Sequence, residues 1–246
     1  MARYLLLGMI AGLLAAVLAF GVARVWGEPP VAAAIALEEA ATETGAETGS
    51  HGHDPATPTH SHGEDEEGGI SRQTQAGIGL FTGMAVFGAG LGGLFALAFA
   101  LVQDRLSHLT ARGTAAALAG CGYVALVLVP FLKYPANPPA VGHGETIGLR
   151  TQMFFAMMAL SLAAMAIAAL IGGRARDRWR GAVTGGLAYL VLVLAAAMAL
   201  PAINEVPADF PGDLLWQFRS VSLIVSAVLW AGIGLLFGLL AERRPA

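Results

Sequence analysis

PFLKYPANPPAVGHGE, residues Pro130 to Glu145, separates two long apolar runs. Pro135, Pro138 and Pro139 fix φ and remove backbone donors, and Pro130 precedes them, so the stretch predicts a shaped loop and not a helix. Irregular backbone at membrane depth persists only where protein or a water-filled cavity satisfies its polar groups. A proline-stiffened loop at a membrane edge is thus a candidate permeation mouth. The plainer reading is that these prolines only stop one helix and start the next.

Outward from this loop the chain is apolar throughout. It is 56% hydrophobic and 13% charged, with a mean hydropathy of +0.66, which excludes an ordinary soluble domain. Runs at Tyr4 to Trp26, Ile78 to Val102, Thr114 to Leu132, Gln152 to Ile171, Ala182 to Ala202 and Phe218 to Leu240 each approach the roughly 20 residues that cross a bilayer. The fold class is therefore all-α, a polytopic membrane protein with six transmembrane helices. The expected organisation is a first helix over 1–26, an outer loop over 27–74 and a five-helix bundle over 75–246. The first run is too long for the apolar core of a cleaved signal, about 7 to 15 residues, and is read as a retained span. Cys121, the single cysteine, lies inside the third run and reads as a small packing residue. Gly8 and Gly12 sit four apart, as do Gly88 and Gly92, Gly181 and Gly185, and Gly234 and Gly238, a spacing that lets helix backbones approach closely.

Arginine placement sets the expected orientation. Arg3, Arg105, Arg112, Arg174, Arg176, Arg178, Arg180, Arg243 and Arg244 fall on one face, against Arg24, Arg72, Lys133, Arg150 and Arg219 on the other. Most acids lie on the second face. Both termini are accordingly expected in the cytoplasm, with the long loops outside.

In the first outer loop, Glu28-Pro29-Pro30 is expected to break the first helix, and Val31 to Ala41 to form a short helix on the membrane surface. Thr42 to Gly69 offers almost nothing to bury and reads as disordered. It carries His51, His53, His60 and His62 beside the acidic run Glu64 to Glu67. Imidazoles with carboxylates are ligands for cobalt, nickel, copper or zinc, so these four histidines are candidate metal ligands, against the alternative of a solvated acidic linker. His108, among arginines, reads as solvated.

A weak repeat relates two hairpins. Arg112-Gly113 leads to Tyr123, Pro130, Lys133 to Asn137, then Arg150; Arg180-Gly181 leads to Tyr189, Pro201, Asn204 to Asp209, then Arg219. Two hairpins that start on one face and turn on the other suit a parallel repeat about the membrane normal, with equivalent loops facing one another; two unrelated membrane hairpins would also meet so short a match. The expected mouth gathers Lys133, Tyr134, Asn137, His143, Glu145, Asn204 and Arg219 as a substrate path, Arg150 beside them, with Glu205, Asp209 and Asp213 as oxygen ligands for a cation. Arg150 and Arg219 are read as helix-end anchors that pair with Glu145 or Asp213.

These same loops resemble the CbtA family of predicted cobalt transporter subunits. The resemblance rests on PFLKYPANPPAVG at Pro130 to Gly142, Asn204-Glu205-Val206-Pro207, and FPGDLLWQFR at Phe210 to Arg219, with weaker support from Ala34 to Glu39, Gly79 to Gly83 and Gly93 to Phe99. It implies cobalt or nickel as substrate, uptake linked to cobalamin biosynthesis, and a small single-span, histidine-bearing partner subunit besides the lipid bilayer. No nucleic-acid partner and no bound cofactor are expected. The histidine loop lies outside the matching residues. The sequence supplies no phosphate-binding loop, so energy would come from the membrane potential, a proton or a partner. It also holds no HExxH helix or Ser-His-Asp pattern, so a transporter, or else an accessory metal-delivery subunit, is expected in preference to an enzyme.

Overall fold

The structure, a computed structural model, describes residues 1–48, 71–103, 109–142 and 146–242. The described residues are helical with no strand, and six helices are long and apolar enough to cross a membrane. Helix α1 runs through Ala2–Val22, a π-helical turn Ala23–Gly27 and Glu28–Thr48; α2 through Arg72–Thr74, a π turn Gln75–Gly79 and Leu80–Val102; α3 through Ala111–Tyr123, a π turn Val124–Leu128 and Val129–Lys133. Then follow α4 (Ile147–Gly173), α5 (Arg178–Ala199) and α6 (Gly212–Glu242). Helices α1, α3 and α5 begin at one end of the bundle, the terminal end, where α2, α4 and α6 finish. At the other, the loop end, α1, α3 and α5 finish and α2, α4 and α6 begin.

Two proline sites depart from the sequence reading. Glu28-Pro29-Pro30 does not break the first helix, and Pro130 lies inside α3. A helix-interior proline leaves the carbonyl four residues earlier without a donor and presses its ring against it. For Pro29 and Pro30 those carbonyls belong to Val25 and Trp26, and for Pro130 to Leu126, all within π turns. The wider turn changes the bonding register there, with Glu28 N–H reaching back to the Ala23 carbonyl, so the helix passes the proline. Val31 to Ala41 is helical as expected, but as a continuation of the first span. At α3 the helix stops instead at Tyr134, the residue before Pro135, whose ψ of 77° is no longer helical.

Lipid gives no hydrophobic drive for helices to meet, so small residues that permit backbone contact decide the pairing. Gly8 and Gly12 of α1 face Gly88 and Gly92 of α2 so closely that a Cβ on Gly12 would overlap the Gly88 carbonyl oxygen. α1 also packs on α6, α6 on α3, and α4 on α5. Two cores result. In the first, Tyr4, Phe95, Phe99 and Phe237 interlock edge to face, with Phe99 and Phe237 centroids 4.8 Å apart, over the alanines of α1 and α3. In the second, Val129, Tyr134, Met157, Ala164 and Val193 join the loop half of α3 to α4 and α5. Large apolar side chains such as Leu18, Val86, Leu94, Leu170, Val191 and Met198 point outward, the surface a lipid-facing bundle presents.

The pairs α3·α6 and α5·α4 are built alike. Near the termini, Gly234 and Gly238 of α6 meet Ala115 and Ala119 of α3, while Gly172 of α4 meets Gly181 of α5. Farther along, the Tyr123 hydroxyl donates to the Leu223 carbonyl of α6 at 3.3 Å, and the Tyr189 hydroxyl pairs with Ser161 of α4 at 2.8 Å. These contacts follow the correspondence of the sequence repeat.

Gly12→Val or Gly88→Val should lower the unfolding midpoint in detergent by the equivalent of about 1–3 kcal/mol, because backbone blocks the new side chain. Gly21→Val, with open space at its Cβ position, should leave the midpoint near the parent value. Equal midpoints for all three would refute the close α1·α2 approach.

Candidate functional site

The third tier of each helix pair lies at the loop end. Arg150, in the first turn of α4, donates from Nη1 to Glu205 Oε2 at 2.7 Å. Arg219, in the third turn of α6, donates from Nε to the Ala136 carbonyl at 3.2 Å and from Nη2 to Asn137 Oδ1 at 3.0 Å. Each arginine therefore holds the loop of the other hairpin. The Tyr134 hydroxyl donates to the Pro201 carbonyl at 2.7 Å and ties the two loops directly. Burial raises the Tyr134 phenol above its ordinary pKa, which keeps it a donor.

Tyr134, Asn137, Arg150, Asn204, Glu205 and Arg219 line one small cavity of about 120 Å³ between the loops. All six stand among the residues expected at the outer mouth, Arg150 and Arg219 there as helix-end anchors. Among the described residues the arginine partners are Glu205 and Asn137, with Asp213 paired to neither, and Glu145 lies outside the described residues. Local geometry explains this, because the loop folds inward after Pro138 and brings Gly142 onto the ion pair. Gly142 has φ of +112°, and a Cβ there would lie 2.8 Å from Arg150 Nη1 and 3.0 Å from Glu205 Oε2.

Glu205 is the chemically unusual group. Its side chain is 6% exposed, and its second oxygen, Oε1, is buried without a hydrogen-bond partner among the described residues. A buried carboxylate oxygen left unmatched is costly and uncommon in folded proteins. Asn204 Oδ1 turns back to the Val206 N–H at 3.4 Å. Lys133 sits outside the cavity, with Nζ 5.7 Å from the centroid of the Tyr134 ring. Asp209 and Asp213 are exposed at the same end and do not line the cavity. Among the described residues no three His, Cys, Asp or Glu side chains form a metal-holding group. His51, His53, His60, His62, His108, His143 and Glu145 lie outside the described residues.

Six membrane-crossing helices closed at one end by a charged cavity define a multi-pass membrane protein whose polar machinery is concentrated in two loops. A family model described as Probable cobalt transporter subunit (CbtA) matches residues 1–242, and the chain belongs to that family. No curated protein and no solved structure matches it.

A double-mutant cycle with Arg150→Met and Glu205→Leu should give a coupling of about 1–3 kcal/mol in detergent unfolding. Gly142→Ala should weaken the same pair and lower the midpoint in the parent, with a smaller effect once Arg150 is Met. Strict additivity of Arg150→Met and Glu205→Leu would show that the pair is not formed.

Proposed function

We propose that this chain carries a divalent transition-metal ion, cobalt, into the cell to supply cobalamin biosynthesis, with the cavity between the Pro-rich and Asn204 to Asp213 loops as its entry. The observation that carries this reading is the buried Oε1 of Glu205, unmatched among the described residues, in a family of cobalt transporter subunits. A divalent ion that sheds water needs anionic oxygen, and Glu205 is the acid lining that cavity, with the amide oxygens of Asn137 and Asn204 on the same wall. Tyr134 and Arg219 hold the two loops at the spacing the ion requires. Lys133, His143 and Glu145 belong to the same mouth in this reading, and Asp209 and Asp213 draw cations toward it by their field. The termini face the cytoplasm of the bacterial inner membrane, and a small histidine-bearing subunit completes the assembly.

His51, His53, His60 and His62 form a collector ahead of the entry. A peptide of residues 50–67 should bind Co²⁺ and release it as the pH falls through about 6.5, where the imidazoles protonate. Replacing all four histidines should reduce uptake at scarce metal and spare it at abundant metal. An equal loss at both concentrations would remove the collector role.

Glu205→Gln keeps the side-chain shape and removes the charge. Cobalt accumulation in liposomes, divided by the amount of inserted protein, should fall at least about tenfold, in keeping with the loss of an anionic ligand. Asp209→Asn and Asp213→Asn should cause smaller losses that shrink as salt rises. Normal accumulation by Glu205→Gln at matched abundance would favour the accessory, metal-delivery role, in which the loops dock a partner and pass no ion.

A further inference from the structure

Glu205 Oε1 has no exposed surface, so an ion reaches it only after something on the cavity wall moves. Two arginines lie on that wall, and their holds differ in kind. Arg219 is bound to two neutral oxygens, the Ala136 carbonyl and Asn137 Oδ1, for which an arriving cation has little advantage over water. Among the described residues Arg150 is bound to the anion itself, through a single nitrogen, and its side chain remains 29% exposed. While it stays there, its charge repels any second cation from the carboxylate. Arg150 also has somewhere to go. It lines a second, larger cavity of about 650 Å³ beside the first, open on the side where Phe87 and Phe155 are exposed, with Phe131, Phe154, Ser222 and Ser226 on its inner side. Aromatic faces and hydroxyl oxygens can accept a displaced guanidinium.

From this juxtaposition we infer that Arg150 is the resident counter-cation of the entry site, and that a divalent metal ion binds Glu205 by exchange, the guanidinium moving into the aromatic cavity as the ion takes its place. The exchange leaves the carboxylate paired before and after, while the guanidinium gives up its anion and is held instead by ring faces and hydroxyl oxygens. Bare metal attraction would instead require a vacant carboxylate held away from water. The inference rests on the entry reading above and adds a competitor to it.

The test is equilibrium binding of Co²⁺, added as the chloride, to the full-length protein in detergent. His51, His53, His60 and His62 are changed to alanine in every sample so that the histidine loop does not contribute. Against this parent, Arg150→Gln should bind Co²⁺ about tenfold more tightly, the size of coupling expected when a competing ligand is removed. Arg150→Lys, which keeps a charge and so protects folding, should fall between the two. Glu205→Gln should abolish the gain when combined with either. Liposome uptake by Arg150→Gln should be slower than by the parent despite tighter binding, since nothing then helps the ion leave; a purely structural arginine would not give this opposition. Arg150 variants that bind no more tightly than the parent would overturn the exchange, and if Glu205→Gln still abolishes binding, the entry reading stands. Should Glu205→Gln leave binding and uptake unchanged, both fall.

Discussion

Two guanidinium groups close the loop end of this protein, each reaching across to the loop of the other hairpin. Charge near a membrane is tolerated when it is matched, and here matching and assembly are one event: Arg150 is satisfied by Glu205 only if the α5–α6 loop lies against α4, and Arg219 by Asn137 only if the α3–α4 loop lies against α6. The prolines of the first loop and the left-handed backbone at Gly142 give that loop the shape that brings the partners within reach.

Below this polar tier the same two helix pairs are held by weaker means, a tyrosine hydroxyl at mid-depth and glycine against alanine or glycine near the termini. The ordering suits the solvent. Close backbone contact through small residues works where dispersion is the available attraction, and long cationic side chains work where water and polar backbone are near. Strong, specific interactions are therefore gathered at one end.

Much of this was legible in the sequence. The six spans follow from hydropathy, and the loops that form the cavity were marked by Tyr134, Asn137, Asn204, Glu205 and Arg219. Helix continuity was not legible at Pro29, Pro30 and Pro130, because proline signals a break unless the preceding turn widens, and a π turn leaves no compositional trace in Ala23 to Gly27 or Val124 to Leu128. Partner choice was hidden too. Arg150 stands five residues from Glu145 and is joined to Glu205, 55 residues away, a pairing that only the folded loop selects. The repeat pointed to it, since exchanging Arg150 for Arg219 exchanges the loops that they hold.

Helix α3 contributes its terminal half to one core and its loop half to the other, with the π turn Val124–Leu128 near the division. Mechanically the molecule is two stiff bodies sharing one strut. The turn itself packs on both, Leu126 and Val127 against the first core and Val124 against the second, so bending of the strut is felt by each. Of the polar contacts at the loop end, the bond between Arg219 on one body and Asn137 on the other is the one that such bending loads.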